Sequence, residues 1–286
     1  MYTVYQSHPE DAQTRTVALS FAMVCIGGIY LGLGVTLIEL GGILVYVGMV
    51  ILMVWIGILG KSILDYMYSS AHLKHMGAIP LTDPHIIKLI REMAHTFRIP
   101  PPDVYITHYE VPNAFTLGRK KEPKLIVTDG LLDLNLDEVK AVFAHELVHI
   151  KNNDSLVKTV ASAMRSLLFF DPVVRRVYAR IYVEKEFVAD KISVLMTRNP
   201  GDLVSALRKI YKEVLEFGEG LPSQSVLNFS QKIYSADSLR RQQGIPSDPI
   251  LRNRFIVERK MMPGSVVKER VKRLTEMEKK MRVHKK

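Results

Sequence analysis

The chain has 286 residues, 48% of them hydrophobic and 24% charged, and 39 basic side chains against 29 acidic ones give it a formal charge of +10. That length holds one large soluble domain or a smaller one with membrane segments attached, and so high an apolar share beside so much charge implies that the two are segregated along the chain. The single cysteine, Cys25, excludes an internal disulfide and any metal site made of cysteine pairs; within its apolar run it reads as a small core residue.

Two uncharged runs open the chain. Residues 16–38 supply about 23 and residues 40–60 about 21, each long enough to cross a hydrocarbon core as a helix. Glu39 separates them, which predicts a tight helical hairpin turning between Glu39 and Gly42. A cleaved signal peptide fits poorly, because Arg15 stands with Glu10 and Asp11 and no basic n-region precedes the apolar run. A pair of buried core helices is the other alternative, and two adjacent uncharged runs of this length weigh against it. Lys61 and Lys74 follow the second run while the turn lacks Lys and Arg, so both ends of the hairpin are expected on the cytoplasmic side. The basic excess thickens over 266–286 and reads as the same positive-inside bias. No aromatic-interleaved basic motif is present, so the expected partner is a lipid bilayer and no nucleic acid. Gly28 and Gly32, at small-xxx-small spacing, would let the two helices approach closely.

Residues 61–82 read as a polar linker that continues the second helix at its start. Apolar residues at helical spacing predict a helix over 83–97, stopped by Pro100, Pro101 and Pro102. Short strands are expected at 104–106, 111–117 and 124–128, with a hairpin tip at Gly118 to Lys121, in a small antiparallel sheet. Asn135 followed by Glu138 matches a capping box and opens a helix to about Ile150. Further helices are expected at 155–170, 173–191, 202–217 and 266–280. His72, His75, His85, His95 and His108 lack ligand spacing to each other and read as surface or packed residues.

The capped helix contains His145-Glu146-Leu147-Val148-His149. Residues four apart share one helix face, so both imidazoles can reach one Zn²⁺ while Glu146 reaches a metal-bound water without being a ligand. Ala141 to Ala144, Leu147, Val148 and Ile150 make that helix apolar on most sides; a buried histidine pair needs partners, which argues against two ordinary surface histidines. A catalytic zinc takes a third protein ligand and keeps a fourth position open. Glu186 is the best candidate, and Asp190, one turn on, can accept from the far nitrogen of a ligand histidine and fix its tautomer. A solvated Glu/Asp pair is the bland alternative, and the apolar Phe187-Val188-Ala189 between the two carboxylates weighs against it.

The membrane hairpin, Pro112-Asn113-Ala114-Phe115, Ala144-His145-Glu146-Leu147-Val148-His149 and Glu186-Phe187-Val188-Ala189-Asp190 together resemble the HtpX-type membrane zinc peptidases, relatives of the CAAX prenyl proteases. The resemblance implies a gluzincin domain, α+β and mainly helical with a small antiparallel sheet, behind a two-helix transmembrane hairpin. It implies one Zn²⁺ per chain on His145, His149 and Glu186, with Glu146 as general base. The strand Asn113, Ala114, Phe115 would be the sheet edge that receives an extended peptide. The chain then divides into a cytoplasmic tail at 1–15, the hairpin at 16–60, a linker at 61–82 and the peptidase domain at 83–286, on the cytoplasmic side. Two departures stand out. Relatives place two further membrane helices before the third ligand, whereas here the interval is short and basic: Leu167-Leu168-Phe169-Phe170 can dip into lipid without spanning it, two spans are expected in all, and 156–178 offers an amphipathic stretch for the membrane surface. Relatives also carry a His-Pro pair with an Arg six residues after that His; Asp248 replaces the His and Arg254 matches, as an oxyanion-stabilising group, as a partner of the site's carboxylate arm, or as a structural salt bridge.

The function expected is endopeptidase cleavage of misfolded or membrane-associated proteins, a protein quality control role. The alternatives are a membrane scaffold with a structural zinc and a specialised processor of prenylated proteins.

Overall fold

The computed structural model describes residues 9–67, 73, 77–108, 112–212 and 264–283. The elements in chain order are α1 (Pro9–Glu39), α2 (Ile43–Met67), β1 (Ile79–Pro80), α3 (Pro84–Phe97), β2 (Asp103–Thr107), β3 (Ala114–Arg119), β4 (Glu122–Thr128), α4 (Asp129–Leu132), α5 (Leu136–Lys151), α6 (Asp154–Leu167), α7 (Pro172–Thr197), α8 (Pro200–Ile210) and α9 (Gly264–Val283). The fold is mainly helical with one small sheet. Of these described residues, 9–67 and 153–188 group into one compact unit, and those within 69–152 and from 189 onward into another. The boundary falls between Val188 and Ala189, inside α7, which runs through it as one unbroken helix.

In the first unit α1 and α2 form the expected hairpin. Gly41 and Gly42 make its turn at φ +75° and +61°, conformations that a residue with a Cβ rarely adopts. Thr14–Glu39 and Ile43–Leu64 are both long and apolar enough to cross a membrane, and most of their surface is exposed. The close approach lies elsewhere than the sequence spacing indicated. A Cβ on Gly28 or Gly32 would meet nothing within 4 Å, whereas one on Gly48 would stand 2.7 Å from the carbonyl oxygen of Gly34. Helical periodicity explains the difference. Thr16, Met23, Gly27 and Gly34 are the buried positions, and Gly28 and Gly32 lie on exposed positions beside the last two. Cys25 is exposed for the same reason and is not a core residue. Residues 156–178 fall in α6 and the start of α7, and α6 packs against α1 and α2.

In the second unit the sheet has the order β1-β2-β4-β3. β3 and β4 form the expected antiparallel hairpin, with Ala114 opposite Val127 and Arg119 opposite Glu122. β2 and β4 are parallel, Asp103 opposite Lys124 through Thr107 opposite Thr128, so the sheet is mixed and not purely antiparallel. Alternating apolar residues reveal that a segment is a strand but not which way its neighbour runs, and here β3 folds back to the outside of β4.

Asp83 caps α3 and Asn135 caps α5. In the latter the Asn135 side chain accepts from the Glu138 N–H at 2.9 Å, and the Glu138 carboxylate accepts from the Asn135 N–H at 3.1 Å. Glu138 is buried and also accepts from Ser205 at 2.5 Å and Lys209 at 2.8 Å, which ties the start of α5 to α8. Burial pushes the carboxyl pKa up, but these donors outweigh it and hold the group below its ordinary value.

Three faces of α5 are covered. Val139, Val142 and Phe143 pack with Leu125 and Val127 of β4 and Ile90 of α3. Ala144, Leu147 and Val148 meet Ala94, Phe97 and Ala189. Ala141 meets Val194, Leu203 and Leu274. Every residue from 141 to 150 is buried, so the His-Glu-x-x-His segment has little room to rotate or translate.

Candidate metal centre

His145 and His149 project from successive turns of α5, as residues four apart must. Their Nε2 atoms are 3.1 Å apart. Two ligands at about 2.0–2.1 Å from one tetrahedral ion stand about 3.3 Å from each other, so the pair is spaced for a shared cation. Glu186 comes from α7, and ligand atoms of His145, His149 and Glu186 all lie within 4.8 Å of one another. All three residues are buried. Two imidazoles and one carboxylate, with no thiolate, is a donor set that binds zinc and leaves a coordination position open.

Charged residues of α7 find partners along the stretch that reaches the site. Glu184 pairs with Arg180 at 2.7 Å, Lys185 with Asp154 at 2.6 Å, and Glu186 lies 3.7 Å from Lys158. Asp190 is buried as deeply as Glu184. Its Oδ1 lies 3.0 Å from His145 Nδ1, and both its oxygens accept from the Arg270 guanidinium at 2.7 Å. A proton held on Nδ1 toward Asp190 leaves the Nε2 lone pair directed at His149 and the ligand cluster. Burial pushes the Asp190 pKa up, and Arg270 and His145 together overcome that and keep the carboxyl below the usual carboxylate range.

Arg270 escaped the reading of the sequence. It lies on α9 and its side chain is almost wholly buried. A signal was present: Val267, Arg270, Val271 and Leu274 share one helical stripe, and a base on an apolar stripe needs a buried acid. The residue named instead, Arg254, lies outside the described residues, as does Asp248. Glu146 is buried on α5 beside His145. Asn113 immediately precedes β3, and its backbone is tied to Thr128: Asn113 N–H donates to the Thr128 hydroxyl at 2.9 Å, and Thr128 N–H donates to the Asn113 carbonyl at 3.1 Å. Ala114 and Phe115 start β3, which is an edge of the sheet and contacts α5.

Residues 80–183 match the family model for Peptidase family M48. A protease HtpX homolog of Sulfurovum sp. (strain NBC37-1) is 32% identical over 214 residues, which cover 63% of this chain and 77% of that relative. The chain belongs to the HtpX-type proteases of peptidase family M48. Protease HtpX of Legionella pneumophila is 38% identical over 133 residues, 45% of this chain and 47% of that protein. An HtpX homolog of Thermococcus kodakarensis is 47% identical over 83 residues, 28% of this chain and 29% of that protein. The chain therefore spans about half or less of these last two relatives. A crystal structure of S. mikatae Ste24p overlays with a TM-score of 0.41 at 18% identity, covering 71% of this chain and 59% of that one, too distant to argue from. An M48 family member is a metallopeptidase, and the cluster of His145, His149 and Glu186 could hold the metal that the family implies.

Proposed function

We propose that this HtpX-type protein is a zinc-dependent endopeptidase that hydrolyses misfolded or membrane-associated proteins at the cytoplasmic face. The observation that carries this reading is the convergence of two histidines and a glutamate on one buried cluster with a fourth carboxylate, Glu146, beside them. His145, His149 and Glu186 hold one Zn²⁺ per chain. Bound there, zinc lowers the pKa of a coordinated water and polarises a carbonyl.

Glu146 takes the proton of the attacking water and delivers it to the leaving amine. Asp190, locked by Arg270, keeps the His145 ring turned with Nε2 toward the cluster. An extended substrate adds to the edge at β3. In the antiparallel ladder the Asn113–Thr128 bonds point inward, so Ala114 and Thr116 turn their backbone N–H and C=O to the open side. The cytoplasmic side follows from Lys61 and Lys74 after the second span.

The test uses purified full chain in detergent. Wild type is expected to bind one zinc and cleave casein. Glu146→Gln is expected to bind zinc as well and to lose cleavage by about 10²–10⁴-fold. Cleavage that survives this variant, or zinc that stays bound when Glu186→Ala and His149→Ala are combined, removes the basis for the assignment.

A further inference from the structure

We propose that α6 and the start of α7 form a re-entrant hairpin that enters the bilayer to about its middle and presents Phe169 and Phe170 to lipid acyl chains. The inference rests on α1 and α2 crossing a membrane and is independent of whether the site hydrolyses peptides.

Two contacts set the direction of α6. At its base, the Tyr66 hydroxyl near the end of α2 lies 3.3 Å from Asn153 Oδ1. Farther up, the Met164 sulfur lies against Gly27 of α1, where Trp55 of α2 also packs. The intervals match. From 153 to 164 and from 66 back to 55 are both about eleven residues, or about 16 Å of helix. α6 therefore climbs alongside α2 in the opposite chain direction and does not lie across it.

The tip reaches one turn farther. Tyr30 of α1 packs edge-on against Phe170 at 5.5 Å and its hydroxyl lies 3.1 Å from Asp171 Oδ2. Trp55 is about nine residues inside the end of the second span at Leu64, or about 14 Å into a hydrocarbon core about 30 Å thick. With 14 residues α6 is too short to cross.

The surface of the hairpin suits that depth. At the tip Phe169 is 72% exposed, Phe170 58% and Val173 50%, continuous with the exposed apolar faces of α1 and α2. Several polar groups of the turn are served within the protein: Asp171 also accepts from the N–H groups of Val173 and Val174 at 2.7 and 3.2 Å, and its own N–H donates to the Leu168 carbonyl at 3.0 Å. Arg175 and Arg176 stand on exposed positions of α7 about one turn below Asp171, where snorkelling and local thinning of the bilayer lower their cost, and Arg180, more than two turns below, lies near the interface. Hydrocarbon favours two adjacent exposed phenylalanines over water, and the bilayer adjoining α1 is the medium at hand.

The experiment places a nitroxide at single cysteines in the full chain, reconstituted into phosphatidylcholine/phosphatidylglycerol vesicles. Accessibility to oxygen and to a water-soluble nickel chelate then reports depth. Native Cys25 on α1 is the reference for the spans; Leu156→Cys and Phe169→Cys are made in a Cys25→Ser background. The labels at 25 and 169 are expected to be open to oxygen and shielded from nickel. The label at 156, about 20 Å lower along the hairpin, is expected to have a severalfold lower oxygen-to-nickel ratio. Val173→Cys reports on the tip if Phe169→Cys does not fold. Equal ratios at 156 and 169 would mean a helix lying flat at the interface. Nickel access at 169 would mean water, and shielding from both reagents a protein partner; each of these overturns the proposal. Nickel access at Cys25 would overturn the membrane spans along with it.

Discussion

The two units of this protein solve opposite problems with similar side chains. α1 and α2 leave Phe21, Ile29, Ile43, Tyr46 and Met53 exposed and bury little of their length, which is stable only against hydrocarbon. α5 buries ten consecutive residues, 141–150, among them two histidines and a glutamate, which is stable only if the polar atoms are served. Apolar content alone therefore does not say where a helix lives. What separates the two is the partners: glycines for close approach in the hairpin, charges and hydrogen bonds around the site.

The comparison can be broken most severely at the buried charges. Arg270→Met leaves the enclosed Asp190 carboxylate with His145 as its remaining side-chain partner among the described residues, and should cost about 3–5 kcal/mol of stability. It should also weaken zinc binding by about 10–100-fold, because the carboxylate that orients His145 is no longer held. Thermal unfolding and competition with a chromophoric chelator measure the two effects, and the paired change Arg270→Met with Asp190→Leu should recover most of the stability but not the zinc affinity.

In the hairpin, Gly48→Ala drives a methyl group to 2.7 Å from the Gly34 carbonyl oxygen and should destabilise the α1–α2 contact by about 1–3 kcal/mol, whereas Gly28→Ala meets open space and should be silent. Cysteine crosslinking rates between the spans, run on both variants, would show whether the close approach is where the structure puts it.

A smaller effect is expected at Lys158, whose ammonium lies 3.7 Å from Glu186. A cation beside a ligand carboxylate repels the metal, so Lys158→Met should tighten zinc binding by about tenfold at low salt. Weaker binding in that variant would instead make Lys158 the group that orients Glu186.

The smallest effect is a pH dependence at the start of α5. Lys209, Ser205 and the Asn135 N–H keep the Glu138 carboxyl below its ordinary value of 4.5. A group depressed in the folded state stabilises it above the unfolded pKa, and that stability is lost as pH falls through the folded value. Unfolding temperature should therefore drop below about pH 4.5 in wild type, and Glu138→Gln should show less of this drop.

Much of this was legible from spacing alone. The hairpin, the Asn135–Glu138 capping box, the strand pair at the 118–121 tip and the paired histidines depend on residues a few positions apart, and local geometry fixes which face or turn they share. Long-range choices were not legible. Alternation marked β2 and β4 as strands but not as parallel neighbours. Glycine spacing pointed to Gly28 and Gly32 while the approach uses Gly34 and Gly48. The arginine on Asp190 comes from α9, eighty positions away in sequence.

The sequence by itself determined which segments are apolar enough to leave water and which side chains carry the chemistry, because both follow from residue type and local period. Only the tertiary structure decided which helix faces meet, which base answers each buried acid, and that α6 packs against the two N-terminal helices. Those outcomes depend on packing between segments far apart in the chain, where many pairings satisfy the same local pattern and only one fills the space and serves every buried charge.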